Sequence, residues 1–193
     1  PRFMDQHPDL TLDMHLSDAQ FDLIEGSYDL ALRNSVLADS SLIARKLADD
    51  ERILCASPDY LKQHGTPKTA DALCAHRLIA FQNLETKNLI AADGTRAVFD
   101  PKKAARRLVL NDGLSQKRVT LEGAGISMNS LWLVHQEIAD GTLCRVLPDH
   151  RMENKPALWL IYPKSNVVSA KVRVFMDFLI EQIGKPQIWC KRE

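Results

Sequence analysis

Residues 107–126, RLVLNDGLSQKRVTLEGAGI, carry the pattern that decides the fold. Arg107-Leu108-Val109-Leu110 is a short apolar run of strand type. It stops at Asn111-Asp112, whose side-chain oxygens suit them to the N-cap of a helix. The spacing predicts that helix from Gly113 to Glu122, closed by Gly123. After Gly125-Ile126-Ser127-Met128, Asn129 and Ser130 are expected to cap the next helix, from Leu131 to Asp140 and ended by Gly141. A strand that runs into a cap and then a helix is half of an α/β unit, and ligands of such folds bind where strands end and helices begin.

The same alternation continues on both sides. Upstream, apolar residues at every second position from Leu10 to Leu16 predict a half-buried strand, with Ser17 and Asp18 capping a helix to Glu25. Asp29-Leu30-Ala31-Leu32-Arg33 reads as a short buried strand. Residues 42–47 and 52–56 are expected to be two more, joined by the acidic turn Asp49-Asp50-Glu51. Pro58 opens a helical turn that Gly65 ends, Arg77-Leu78-Ile79-Ala80-Phe81 is a strand, and Ala92-Asp93-Gly94-Thr95 is a hairpin turn. Downstream, Leu158-Trp159-Leu160-Ile161-Tyr162 is a fully apolar strand. Ser169 caps a last helix with Val172, Phe175, Met176, Leu179 and Ile183 on one face, and Gly184 lies past its end. Residues 185–193 carry no periodic signal and are expected to be a loose tail.

Composition narrows the function. The chain has 193 residues, 45% of them hydrophobic, and its 25 basic side chains balance 25 acidic ones. Phosphate neutralisation needs a basic excess, so these residues are not expected to hold nucleic acid by themselves. The run Lys102-Lys103-Ala104-Ala105-Arg106-Arg107 lacks interleaved aromatics and reads as a solvated face. Asp49-Asp50-Glu51 reads as a solvated turn. No apolar run approaches the ~20 residues of a membrane helix. The opening residues do not read as a signal peptide, which points to the cytoplasm.

Four cysteines, at 55, 74, 144 and 190, form no C-x-x-C, so neither a disulfide framework nor a structural metal is expected. Cys55 and Cys144 lie in apolar stretches and read as small buried hydrophobes. The six histidines never fall at helical ligand spacing, and Gly-x-Ser-x-Gly, P-loop and dinucleotide-loop patterns are missing. Neither a metal, a cofactor nor catalysis is expected.

An ordered series of short motifs is similar to one family. Asp29-Leu30-Ala31-Leu32-Arg33 and the run from Asp39 to Leu47 resemble the effector-binding domain of LysR-type transcriptional regulators. So do Ala56-Ser57-Pro58-Asp59-Tyr60-Leu61, Gly65-Thr66-Pro67 and the run from Asp71 to His76. Asn111-Asp112-Gly113, Gly123-Ala124-Gly125-Ile126, the run from Ala139 to Leu143, Tyr162-Pro163, Ser169-Ala170-Lys171-Val172-Arg173 and Phe178-Leu179 follow in the family's order, over residues 1 to about 184. Ser130 stands where the family usually has proline at a helix start.

The resemblance implies an α/β, two-lobed periplasmic-binding-protein-like (type II) fold with two hinge crossovers. Lobe I is then expected at 1–57 plus 162–184, lobe II at 58–161, and a tail at 185–193. It implies a small-molecule effector bound between the lobes, and self-association as a homodimer or homotetramer in which helix 17–25 and the C-terminal helix supply apolar contacts. Promoter DNA is expected to be bound only through an N-terminal helix-turn-helix. That element, its linker helix and the first strand of lobe I would precede Pro1. The alternative is a solute-binding protein of a transporter, which would carry a secretory signal. An enzyme on a similar fold would need an acid–base constellation in the cleft.

Candidate effector contacts follow from strand ends and caps. Ser17 is a helix cap or a hydroxyl donor to an anion at a helix N-terminus. Arg33 ends a buried strand; its guanidinium suits a carboxylate, or pairs within the chain, and Asn34 follows it. Phe81 and Asn83 close a lobe II strand and offer a mixed apolar and amide wall. Asn111 and Asp112, and likewise Asn129 and Ser130, are caps first and ligand contacts second. One arginine among hydroxyls and amides leans towards a small carboxylate effector.

Overall fold

The computed structural model describes residues 1–17, 28–34, 42–82, 86–154, 156–164, 168–184 and 187–190. In chain order the elements are α1 (Arg2–Gln6), β1 (Ala31–Arg33), β2 (Leu42–Asp49), β3 (Arg52–Ala56), α2 (Pro58–His64), β4 (Arg77–Phe81), β5 (Lys87–Ala91), β6 (Arg96–Phe99), β7 (Arg106–Leu110), α3 (Gly113–Leu121), β8 (Ile126–Ser130), α4 (Leu131–Ala139), β9 (Cys144–Val146), β10 (His150–Met152), β11 (Ala157–Pro163) and α5 (Ala170–Ile183). Short 3-10 turns cover Asp71–Ala75, Pro101–Lys103 and Ile188–Cys190.

The chain divides into two compact units, Pro1–Asp49 with Ala157–Glu193, and Asp50–Pro156. The crossings therefore fall at 49/50 and 156/157, earlier than the 57/58 and 161/162 expected from sequence. The reason is strand membership: β3 lies between β8 and β9 in the second unit's sheet, whereas β11 lies between β1 and β2 in the first. Asp49-Asp50-Glu51 thus joins strands of different sheets, and it is solvated at Asp49 and Glu51 only. Asp50 is 1% exposed. Its N–H donates to the Pro156 carbonyl at 2.9 Å and its carboxylate accepts from Arg52 Nε at 2.8 Å.

In the first unit, β11 pairs antiparallel with both β1 and β2. The apolar stripe of α5 buries Val172 and Met176 against Leu160 of β11, with Leu47 and Leu179 packed around them. Phe3 of α1 is buried edge-on against Phe175 and Phe178, at centroid distances of 4.9 and 5.1 Å. Ser169 precedes α5 without a side-chain capping bond. Residues 10–16 form no strand and join none of the described ladders. Met14 and Leu16 are left exposed. The helix expected over 17–25 lies outside the described residues beyond Ser17. The C-terminal stretch is not wholly loose, since Trp189 is buried.

The second unit carries a five-stranded sheet in the order β7-β4-β8-β3-β9. Neighbours β7, β4 and β8 run parallel, while β8, β3 and β9 pair antiparallel. Central strands buried on both faces need continuous apolar runs, and β3 and β4 supply them with Ile53-Leu54-Cys55-Ala56 and Leu78-Ile79-Ala80. A smaller antiparallel sheet, β10-β5-β6, packs Leu89 and Phe99 into the same core as Tyr60, Leu73, Leu78 and Ile126. Gly125 is dictated by packing: a Cβ there would stand 2.4 Å from the Arg77 carbonyl oxygen.

Candidate functional site

Parallel pairing brings three candidate segments to one end of the second unit's sheet. Phe81, the last residue of β4, is level with Leu110, the last of β7. The Gln82 N–H donates to the Leu110 carbonyl at 2.6 Å, so the two strand exits are tied together. Strand β8, in register with β4 at Leu78–Ile126 and Ile79–Ser127, runs on to Asn129 and Ser130 at the same end. Phe81, Asn111, Asp112, Asn129 and Ser130 are therefore grouped by topology, as strand-end residues of an α/β sheet should be. Asn83 lies outside the described residues.

These five residues do different work. Phe81 and Asn111 are exposed and available for contact. Asp112 is the N-cap of α3, its carboxylate accepting from the Ser115 N–H at 2.6 Å. The Ser115 hydroxyl and backbone hold that carboxyl below the usual carboxylate range. Asn129 and Ser130 are the last residues of β8, and of the two Ser130 stands at the N-cap of α4. Ser130 precedes α4 without a side-chain capping bond, and the Leu131 N–H instead donates to the Glu51 carbonyl at 2.7 Å. The Glu51 carbonyl thus satisfies the first of the orphan N–H groups at this helix start.

Asn129 is 2% exposed and belongs to a buried polar chain that sequence reading missed. Thr120 Oγ1 donates to the Gln116 carbonyl at 2.7 Å, which commits its proton inside α3. The 2.7 Å contact between Thr120 and Ser127 therefore has the Ser127 hydroxyl as donor. Ser127 in turn accepts from Asn129 Nδ2 at 2.6 Å, and the same amide reaches Cys55 Sγ at 3.5 Å. Burial pushes the Cys55 thiol up, against the opposing pull of these hydrogen bonds. Asn129 Oδ1 has no hydrogen-bond partner among the described residues, a buried acceptor at the strand-end side of the sheet. The signal in the sequence is Gln116 and Thr120, two polar residues one helical turn apart that both point inward.

The candidates of the first unit are Ser17, Arg33 and Asn34. Arg33 ends β1 opposite Trp159 of β11 and is half-buried, while Ser17 and Asn34 are exposed. Ser17 and Arg33 each already interact within the chain, so a ligand there would exchange partners. Cys55 is buried as expected and Cys144 only half-buried; with Cys74, both are free thiols. Among the described residues, no helix is long and apolar enough to cross a membrane.

Known proteins match this architecture along its length. The LysR substrate binding domain family matches residues 1–184. The HTH-type transcriptional regulator CrgA of Neisseria meningitidis serogroup C is 33% identical over 186 residues, 95% of this chain and 60% of the relative. DmlR of Escherichia coli K12, also an HTH-type transcriptional regulator, is 35% identical over 90% of this chain and 56% of its own length. The solved CrgA regulatory domain superposes with a TM-score of 0.82 at 32% identity, covering 95% of this chain and 89% of that one. This chain thus spans about 60% of the curated relatives it matches. Its matches are transcriptional regulators, which does not favour the transporter reading. With family, fold and relatives in agreement, the chain belongs to the LysR substrate-binding domain family and has its two-lobed α/β fold.

Proposed function

We propose that this chain is the effector-binding and self-associating part of a LysR-type transcriptional regulator, acting in the cytoplasm and without catalytic activity of its own. The observation that carries the reading is the convergence of the β4, β7 and β8 exits at one end of the second unit's parallel strands. That end carries an exposed aromatic, Phe81, and an exposed amide, Asn111, with Asn129 and Ser130 buried at the same strand end, and no nucleophile–base pair among the described residues. On the first unit, taken by itself, the proposed contacts are Ser17, Arg33 and Asn34. Arg33 is the residue that would recognise a small carboxylate through a bidentate hydrogen-bond pair. Promoter DNA is read by a helix-turn-helix outside these residues. Effector binding biases a two-state equilibrium of the regulator, and a tenfold preference for one state supplies ~1.4 kcal/mol.

A thermal-shift screen of the chain against small carboxylates, amines and sugars tests this. A ligand at one hundred times its dissociation constant adds ~2.7 kcal/mol, several degrees in Tm at this size. The expected hits are carboxylates whose shift Arg33→Ala abolishes. Carboxylate hits that survive Arg33→Ala would remove the anchoring role of the arginine, and hits confined to sugars or amines would remove the carboxylate assignment.

A further inference from the structure

We propose that the second unit has a separate phosphate-binding site at the opposite end of its parallel strands, formed by Arg77 and Arg106 with His64 and His76. Arg77 opens β4 and Arg106 opens β7, and the two are directly opposite each other in the parallel ladder. Adjacent strands lie ~4.8 Å apart, so two guanidinium groups start from neighbouring backbone positions on one face of the sheet. Like charges directly across a ladder are destabilising. Neither arginine has a carboxylate partner among the described residues to offset that repulsion. Both instead line a cavity of about 230 Å³ whose other walls are His64, Ala75, His76 and Ala105, with no acidic side chain.

The hydrogen bonds around this cavity fix what each group can do. The Arg77 guanidinium donates to His64 Nε2 at 2.8 Å, so His64 carries its proton on Nδ1, which donates to the Tyr60 carbonyl at 3.1 Å. The Arg77 backbone N–H donates to the Tyr60 hydroxyl at 2.9 Å; that hydroxyl donates in turn to His76 Nδ1 at 3.2 Å, which leaves the proton of His76 on Nε2. Tyr60 stacks on His64 at 4.4 Å, and the Arg77 guanidinium lies 5.4 Å from the Tyr60 ring centroid. Arg77 is thereby held at the rim by a ring and an imidazole, neither of which cancels its charge. Burial and the neighbouring His64 lower the pKa of His76, so the fixed positive charge of the cavity is that of the two arginines. Two arginines bordering one space with no acidic neighbour suit a tetrahedral oxyanion, which can accept from both guanidinium groups and relieve their mutual repulsion. Arg77 and Phe81 sit at opposite ends of β4, roughly 13 Å apart at ~3.3 Å per residue, so this site is distinct from the strand exits proposed for the effector.

The test is a titration of the intact chain with inorganic phosphate at low ionic strength, followed by amide and imidazole chemical shifts. The expected result is saturable shifts at Arg77, Arg106, His64 and His76, and affinity about tenfold weaker in Arg106→Gln. Arg107→Gln, one residue along the same exposed strand, is expected to bind as the parent does. Arg106 is an exposed edge-strand residue, so its variant should keep the parent Tm; Arg77→Gln also loses the contacts to His64 and Tyr60 and serves only as a second measure. Tighter binding of glycerol 3-phosphate than of inorganic phosphate would identify the source as an esterified metabolite, and the reverse as the free ion; either supports the site. An absence of saturable shifts into the tens of millimolar, unchanged affinity in Arg106→Gln, or equal losses in Arg106→Gln and Arg107→Gln would overturn it.

Discussion

Asp112 shows how a single side chain is committed to structure within a functional edge. Its carboxylate satisfies one of the orphan N–H groups of α3, so Asp112→Ala should lower stability by ~1 kcal/mol in urea unfolding. Because hydrogen bonds depress its pKa in the folded state, that contribution is present above the unfolded value of about 3.9 and is lost as pH falls through the lower folded value. The stability difference between parent and Asp112→Ala should therefore shrink below about pH 4; a difference constant down to pH 2 would contradict the cap. Gly125 is constrained differently. Alanine there places a Cβ against the Arg77 carbonyl, within a backbone that has little room to shift because Arg77 begins a central strand. Gly125→Ala is expected to cost on the order of 2–3 kcal/mol, read as a fall in the urea midpoint with the slope unchanged.

Between elements, the polar chain from α3 through β8 to β3 gives the sharpest expectation. Ser127→Ala leaves Asn129 Nδ2 with only the sulfur of Cys55 as acceptor and removes the donor to Thr120. The loss should be ~1–3 kcal/mol, the cost of stranding buried polar groups, and a Ser127→Ala/Asn129→Leu pair should recover part of it. A double variant no better than the single one would show that the network is not coupled. Most elements here were legible from local signals: the bounds of β3, α2 and β4 follow from apolar runs and from Pro58 and Gly65. What failed is what depends on a distant partner. Residues 10–16 alternate as a strand does but have no described ladder to join. Ser130 holds the N-cap position of α4 but makes no side-chain capping bond, and the acceptor for the first helical N–H is Glu51, from elsewhere in the chain. The strand-end residues were readable because cap chemistry is local, whereas the inward turn of Gln116 and Thr120 and the pairing of Arg77 with Arg106 exist only once β4, β7 and β8 are in register.

For the whole molecule, the edge strand β7 argues for self-association. Successive strand residues face opposite sides, yet Leu108 and Val109 are 40% and 43% exposed, so neither face of β7 is covered; Leu114 of α3, beside it, is 63% exposed. An uncovered apolar edge is a template for pairing with another chain, and proteins seldom leave one open. The proposed regulator gives that edge an occupant, a second copy of the chain. Light scattering at micromolar concentration should then report more than the 21.7 kDa of one chain. By mass action the Tm should rise with protein concentration, because assembly stabilises only the folded state. Replacing both residues, Leu108→Lys with Val109→Glu, should shift the population to monomer and remove the concentration dependence. Tm at high dilution should fall by less than it does at high concentration, since both side chains are already partly exposed in the isolated chain. A parent that stays monomeric into the tens of micromolar, with a concentration-independent Tm, would mean that β7 is covered by something other than this chain.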